Sequence, residues 1–234
     1  MAASPGPGTT PDDVAPDGSP VAVYAALPDH DALDLVADQV PPGGSVLDLG
    51  CGVGRLANPL ARRGHAVTAV DEHAGMLAHL DRAVSAVRAD IRTLDLGRRF
   101  DVVVLASHLV NHHAHGLEFL VSCRRHVAAR GAVLVERFHP DLLDDLDQRE
   151  GVLDGVTVRH EIHDRDGGAF GASVHYTVAG TTWTQRYRAV LLDDAAFGRA
   201  LRTAGLRHET WLDGELRWSL ARAQTTRRMA VGVR

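Results

Sequence analysis

Lysine is absent from this 234-residue chain, and all 25 of its basic residues are arginine. A lysine Schiff base and a lysine general base are therefore excluded. Cysteine is scarce. Cys51 and Cys123 are far apart in sequence and form no C-x-x-C pair, which leaves a zinc ribbon or a redox dithiol unsupported, and a reducing compartment would keep both as thiols. No apolar run reaches the roughly 18 residues that a membrane helix needs. The start, MAASPGPGTTPDD, has neither the basic nor the apolar stretch of a secretory signal. A cytoplasmic location with no membrane partner is expected. A basic surplus is missing too: the net charge is −5 and the pI about 6.2. Only short arginine pairs occur (62–63, 98–99, 124–125, 227–228), and these read as solvated helix faces, so no nucleic-acid partner is expected.

Hydrophobic residues make up 45% of the chain, enough for a sizeable core, and the length suits one α/β domain with a small inserted lobe. Residues 1–20 hold five of the ten prolines and read as a disordered tail. Residues 21–234 read as the single domain. Apolar spacing predicts helix over 21–40, ended by Pro41-Pro42-Gly43-Gly44. Short apolar strands near 46–49, 66–70, 85–89, 100–105 and 131–136 then alternate with helices near 55–63, 74–83 and 117–128. That order predicts a doubly wound, mostly parallel sheet. Beyond Pro140 a short acidic helix (141–147) leads to three β-rich stretches, 156–162, 172–178 and 182–191. These form an inserted lobe over about 152–192. A helix over 193–204 and a hairpin of 206–212 with 217–223 complete the chain.

The informative segment is Val46-Leu47-Asp48-Leu49-Gly50-Cys51-Gly52-Val53-Gly54-Arg55-Leu56, placed between a strand and a helix. Glycines there let a ligand approach the backbone, and the helix start offers free N–H groups. Asp71, 21 residues after Gly50 and at the end of the next strand, suits a carboxylate that accepts from ribose hydroxyls. The G-x-G-x-G spacing is not the G-x-G-x-x-G of a pyrophosphate site, and Asp48 at the loop entry would repel a pyrophosphate while suiting an ammonium.

With Val67–Asp71, Ala89-Asp90-Ile91 and a fourth strand running into Ala106-Ser107-His108, this pattern resembles the class I S-adenosylmethionine-dependent methyltransferases over residues 45–140. The resemblance implies a Rossmann-like fold, S-adenosylmethionine as cofactor (S-adenosylhomocysteine as product) and a small-molecule methyl acceptor. It also implies roles. Gly50, Cys51, Gly52 and Gly54 would line the methionine moiety, and Asp48 would hold the loop or the ammonium region. Asp71, with Glu72 beside it, would bind the ribose. Asp90 would contact the adenine amino group while Ile91 packs on the ring, and Ala106 and Ser107 would lie near the sulfonium. Met76 would pack near the adenosine or fill the core, and Tyr24 would close as a lid or simply pack its helix. The C-terminal hairpin fits the same family, and the β-rich insert loosely resembles the lobe of members that methylate amino sugars.

For an acceptor that must lose a proton, candidate bases follow the fourth and fifth strands: His108 first, then His112 and His139, each competing with a role as a loop or capping histidine. Asn111, Arg137 and Trp183 are candidate acceptor contacts. Against this, Glu136 and Arg137 could form a structural ion pair and Trp183 could serve packing. His112, His113 and His115 lack accompanying carboxylates, so no metal is expected. A monomer or homodimer is expected. Missing basic patches and a missing Asn/Asp-Pro-Pro-Tyr motif argue against RNA or protein acceptors. A non-catalytic binder of the same cofactor is the alternative from another class.

Overall fold

A computed structural model describes residues 13–145 and 150–224. Seven strands form one sheet: β1 (Ser45–Leu49), β2 (Ala66–Asp71), β3 (Ser85–Arg88), β4 (Phe100–Leu105), β5 (Val127–Glu136), β10 (Leu206–Trp211) and β11 (Trp218–Ala223). Their spatial order is β10-β11-β5-β4-β1-β2-β3. β1 to β5 pair in parallel, and β11 runs antiparallel between β5 and β10. β1 lies between β2 and β4, so the chain order reverses there and a crevice opens beyond the strands' carboxyl ends.

Alternation along the strands buries both faces. Leu47, Leu49, Val103 and Leu105 join Leu120 and Phe197 in one core cluster. Val46, Val102 and Val104 join Val36, Leu60 and Trp218 in the other. These helical residues come from α2 (Leu33–Ala37), α3 (Ala57–Arg62), α5 (Gly116–His126) and α7 (Asp194–Thr203). At the start of α7, Asp193 Oδ1 accepts the Ala196 N–H at 2.6 Å, a cap that contributes about 1 kcal/mol. Among the described residues, no helix is long and apolar enough to cross a membrane.

The predicted fold class is found, with local departures, one of them that the helix expected near 74–83 spans only Ala74–Leu77. The helix expected over 21–40 is two helices, α1 (Val21–Ala26) and α2, because Pro28 pushes Leu27 into an extended conformation (ψ 148°). The tail expected over 1–20 is ordered from residue 13. Gly18, Ser19 and Pro20 are buried, and the Gln185 side chain donates to Ser19 Oγ at 2.9 Å. Residues 1–12 lie outside the described residues. The lobe has four strands rather than three: β6 (Glu150–Leu153), β7 (Val156–Asp166), β8 (Ala169–Val178) and β9 (Thr181–Val190), in an antiparallel meander. Pairing lengthens β7 and β8, so polar residues such as Asp164 and Arg165 join the ladder despite their low strand propensity.

The lobe is tied to the sheet's carboxyl edge. His112 bridges Ala189, the His113 N–H donates to Arg188 O at 3.3 Å, and Val23 of α1 packs with Val156, Val174 and Tyr176.

Candidate functional site

The loop after β1 folds back on β2, with the Gly50 and Cys51 N–H groups both donating to Val70 O (2.8 and 3.0 Å). Gly50, Gly52 and Gly54 all have positive φ (73°, 52°, 88°), a region that costs a side chain strain. Space adds a second demand at Gly54, where a Cβ would lie 2.5 Å from Leu80 and 2.9 Å from Asn58. At Gly52 a Cβ would meet only Met76 Sδ, at 4.0 Å, so the loop presents an open backbone there. Asp71 braces this loop: Oδ2 accepts the Gly52 N–H and Oδ1 the His73 N–H, each at 2.9 Å. Burial raises the Asp71 carboxyl above its ordinary value, and those two N–H groups work against the rise.

Asp48 is 2% exposed, and no hydrogen bond among the described residues reaches its carboxylate. Burial pushes it up to about 7; the His30 charge pulls it down and Asp71 pushes it up further. A buried acid without a donor calls for a cation. Arg55, directly after Gly54, is half-buried with its Nε on Pro28 O (2.6 Å).

Tyr24, Val21, Val53 and Met76 pack together beside the loop, so Met76 (3% exposed) is a core filler there. Cys51 is buried, and burial raises its thiol. Glu72 is exposed and Ala106 buried. Ile91 is 9% exposed and, with Leu109, borders Gly50. Asp90 is engaged by Arg92 through both carboxylate oxygens (2.6 to 3.0 Å), which holds it below the usual carboxylate range.

Across the crevice, β4 ends in a strained turn. Ser107 and His108 both have left-handed backbones (φ 54° and 57°) without being glycine. Glu136, 3% exposed at the end of β5, accepts the Ser107 N–H at 2.7 Å. Its other oxygen is 3.9 Å from His108 Nδ1, a buried atom with no hydrogen-bond partner. The His108 ring packs at a tilt of 31° against Phe138, centroids 4.2 Å apart, and its side chain is 29% exposed. His30 reaches Glu136 from the opposite side, with Nε2 at 3.6 Å from Oε2 and Nδ1 at 2.9 Å from Asp31. The Ala32 N–H also points at His30 Nδ1 (3.2 Å), but the nearer, charged Asp31 oxygen puts a proton on that nitrogen. Burial opposes the His30 charge, yet Asp31 and Glu136 outweigh it and carry the imidazole up to about 9. Burial alone would raise the Glu136 carboxyl, but His108, His30 and the Ser107 N–H hold it low. His108 is lowered, chiefly by burial and despite Glu136. His160 of β7 is likewise lowered, by burial and then by His108, and brings the lobe to this site.

Several expected residues do other work. Arg137 is not available to a ligand. It is fully buried, donates to Leu216 O (3.1 Å), Leu192 O (2.8 Å) and Asp194 (2.5 Å), and lies 4.2 Å from the Trp211 ring centroid. Asn111 (1% exposed) donates to Val190 O at 2.7 Å and accepts the Phe138 N–H at 2.9 Å, so it fastens the lobe rather than an acceptor. His112 Nδ1 accepts N–H groups from Ala114 and His115, and His139 Nδ1 accepts that of Asp141. These bonds engage Nδ1 of both rings in local turns. Trp183 faces Tyr176 across β8 and β9 within the lobe's apolar cluster. Sequence reasoning missed His30, His160 and Arg55. The available signal for His30 was Pro28, which breaks the helix and lets the chain turn so that His30 is buried between exposed Asp29 and Asp31.

Residues 46–131 match the model of a family described as a methyltransferase domain. The chain is 32% identical over 133 residues to the cypemycin N-terminal methyltransferase of a Streptomyces species, covering 47% of this chain and 54% of that protein. It is 38% identical over 116 residues to the ubiquinone biosynthesis O-methyltransferase of Azorhizobium caulinodans, covering 45% and 44%. The chain thus spans about half the length of the curated relatives it matches. Among solved structures, CalS10 of Micromonospora echinaspora, an amino pentose methyltransferase involved in calicheamicin biosynthesis and solved with S-adenosylmethionine bound, superposes with a TM-score of 0.67. Its identity is 25%, over 87% of this chain and 95% of that one.

Proposed function

We propose that this chain is a class I S-adenosylmethionine-dependent methyltransferase that methylates a small-molecule amine in a biosynthetic pathway, with His108 as base; the match of residues 46–131 to a methyltransferase domain supports the class. The observation that carries this reading is the pairing of two unlike groups across one crevice. A buried, unpartnered Asp48 underlies the glycine loop, and a neutral His108 stands at the end of β4. The first fits the ammonium of an amino-acid moiety, and the second fits a proton acceptor.

When bound, S-adenosylmethionine supplies a methyl group already activated on a sulfonium, so the protein's task is alignment and exclusion of water. Asp48 would hold the ammonium, Arg55 the carboxylate, Asp71 and Glu72 the ribose hydroxyls, and Asp90 with Ile91 the adenine. Gly50, Cys51, Gly52, Gly54, Ala106 and Ser107 would line the space between, with Tyr24 covering it. An amine reaches the site as an ammonium and must lose a proton before it can attack. Glu136 faces His108 Nδ1, which favours the tautomer whose proton is on Nδ1 and leaves the Nε2 lone pair free to take that proton. The antiparallel lobe, tethered through Asn111 and the His112 bridge to Ala189, would roof the acceptor side. Support for nitrogen comes also from relatives named for an N-terminal acceptor and for an amino pentose.

The test is transfer of labelled methyl from S-adenosylmethionine to parallel panels of amino sugars and phenols. Label on amino sugars, reduced at least tenfold by His108→Gln, is expected. Label on phenols alone would overturn the amine acceptor. Thermal protection by S-adenosylhomocysteine with no transfer to any acceptor would instead indicate a non-catalytic binder.

A further inference from the structure

Two histidines reach one buried carboxylate, and only one of them faces the crevice. Glu136 is 3% exposed and is approached by His30 Nε2 at 3.6 Å and by His108 Nδ1 at 3.9 Å. The surroundings of the two rings differ. His30 is 9% exposed, has a second carboxylate (Asp31) on Nδ1, and meets Trp218 edge-on at 5.9 Å. The loop that carries it is pinned from both sides: the His30 N–H donates to Arg55 O at 3.1 Å, and Arg55 Nε donates to Pro28 O at 2.6 Å. Among the described residues, His108 has no second carboxylate and its buried Nδ1 has no hydrogen-bond partner. Glu136 also holds the backbone that aims His108, because its Oε2 accepts the N–H of Ser107 within the strained turn.

We propose that Glu136 and His30 are a positioning pair for the base: Glu136 sets the turn and tautomer of His108, and the His30 imidazolium, secured by Asp31, takes up the Glu136 charge so that His108 stays neutral and able to accept a proton. This inference rests on the reading of His108 as base, but its physical content is separate from it. A carboxylate shared with no other cation would draw a proton onto His108 and block its second nitrogen. The competing cation opposes that, adding to the larger effect of burial. The other groups that bear on the pair are Asp48 from β1, Arg55 after the glycine loop, Arg217 before β11 and His160 from β7. Arg217 and His30 both disfavour a charge on His108, and Glu136 favours it. Proton balance is simple. The acceptor's proton passes to His108 Nε2, Glu136 stays ionised beside the imidazolium so formed, and His108 then releases the proton to solvent through its exposed edge.

The test follows the His108 ring by NMR in protein carrying isotope-labelled histidine, with no cofactor present and the signal assigned by its loss in His108→Gln. In the unaltered protein His108 should titrate below the ordinary histidine value. His30→Asn should raise that titration, because Glu136 then faces His108 without a competing cation. Glu136→Gln should lower it, and Glu136→Asp should restore part of the loss. The acid limb of kcat/KM should move in step with the NMR titration in each variant. A role for His30 confined to stability would change Tm and leave the titration where it was. An unmoved His108 titration in folded His30→Asn protein overturns the positioning pair. Full activity in His108→Gln overturns the base assignment instead, and the NMR result still decides the pair, so the two failures are told apart.

Discussion

Asparagine in place of Asp48 should stabilise the protein alone at alkaline pH and weaken its hold on the cofactor. The magnitude follows from the site. Burial, with no hydrogen bond in compensation, raises this carboxyl from 3.8 in the unfolded chain to about 7 in the folded one. At about 1.4 kcal/mol per pK unit, ionising it in the folded protein costs about 4 kcal/mol. The sign is that of a raised acid. The folded state retains the proton between pH 3.8 and about 7 while the unfolded state has released it, so stability falls across that window and the cost is complete above it. Asp48→Asn removes the ionisation and therefore that decline. Urea unfolding of both proteins from pH 4 to pH 8.5 isolates the effect, because other titrating groups cancel in the difference. Asp31, held down to about 2 by His30, titrates below this range and adds no slope within it. The stability difference should grow with pH and favour the variant by up to about 4 kcal/mol, less the cost of the buried amide. In calorimetry the variant should bind S-adenosylhomocysteine at least tenfold more weakly. A difference that is flat with pH, or unchanged affinity, would refute the assignment of Asp48 as an unpaired acid awaiting a cation.

Three further outcomes follow. Arg137→Met should lower stability by about 1–3 kcal/mol in urea unfolding, since it leaves the carbonyls of Leu216 and Leu192 without their donor while Asp194 stays solvated, and it should leave the KM for the acceptor nearly unchanged in whatever protein remains folded. Asp71→Ala should weaken S-adenosylhomocysteine binding by more than tenfold in calorimetry, because the N–H groups of Gly52 and His73 lose the acceptor that fixes the loop. Gly54→Ala should cost about 1–3 kcal/mol in thermal unfolding, from a left-handed backbone (φ 88°) and a Cβ only 2.5 Å from Leu80.

Amino-acid order by itself determined the parallel sheet, because residues 46–49 and 100–105 are apolar runs broken only by Asp48 and Asp101, and helical periods separate them. It also determined the glycine loop with Asp48 and Asp71, since left-handed backbone, a short-range turn and a strand-end acid are local properties that leave local marks. Tertiary structure alone decided what each polar group does. Arg137 and His108 look equally available in sequence, yet one is walled in by Trp211 and Phe197 and the other opens on the crevice. The split of the first helix at Pro28 carries His30 to Glu136, 106 residues away in sequence. Burial, partner choice and the resulting proton affinities depend on packing between distant segments, and no periodicity within a segment encodes them.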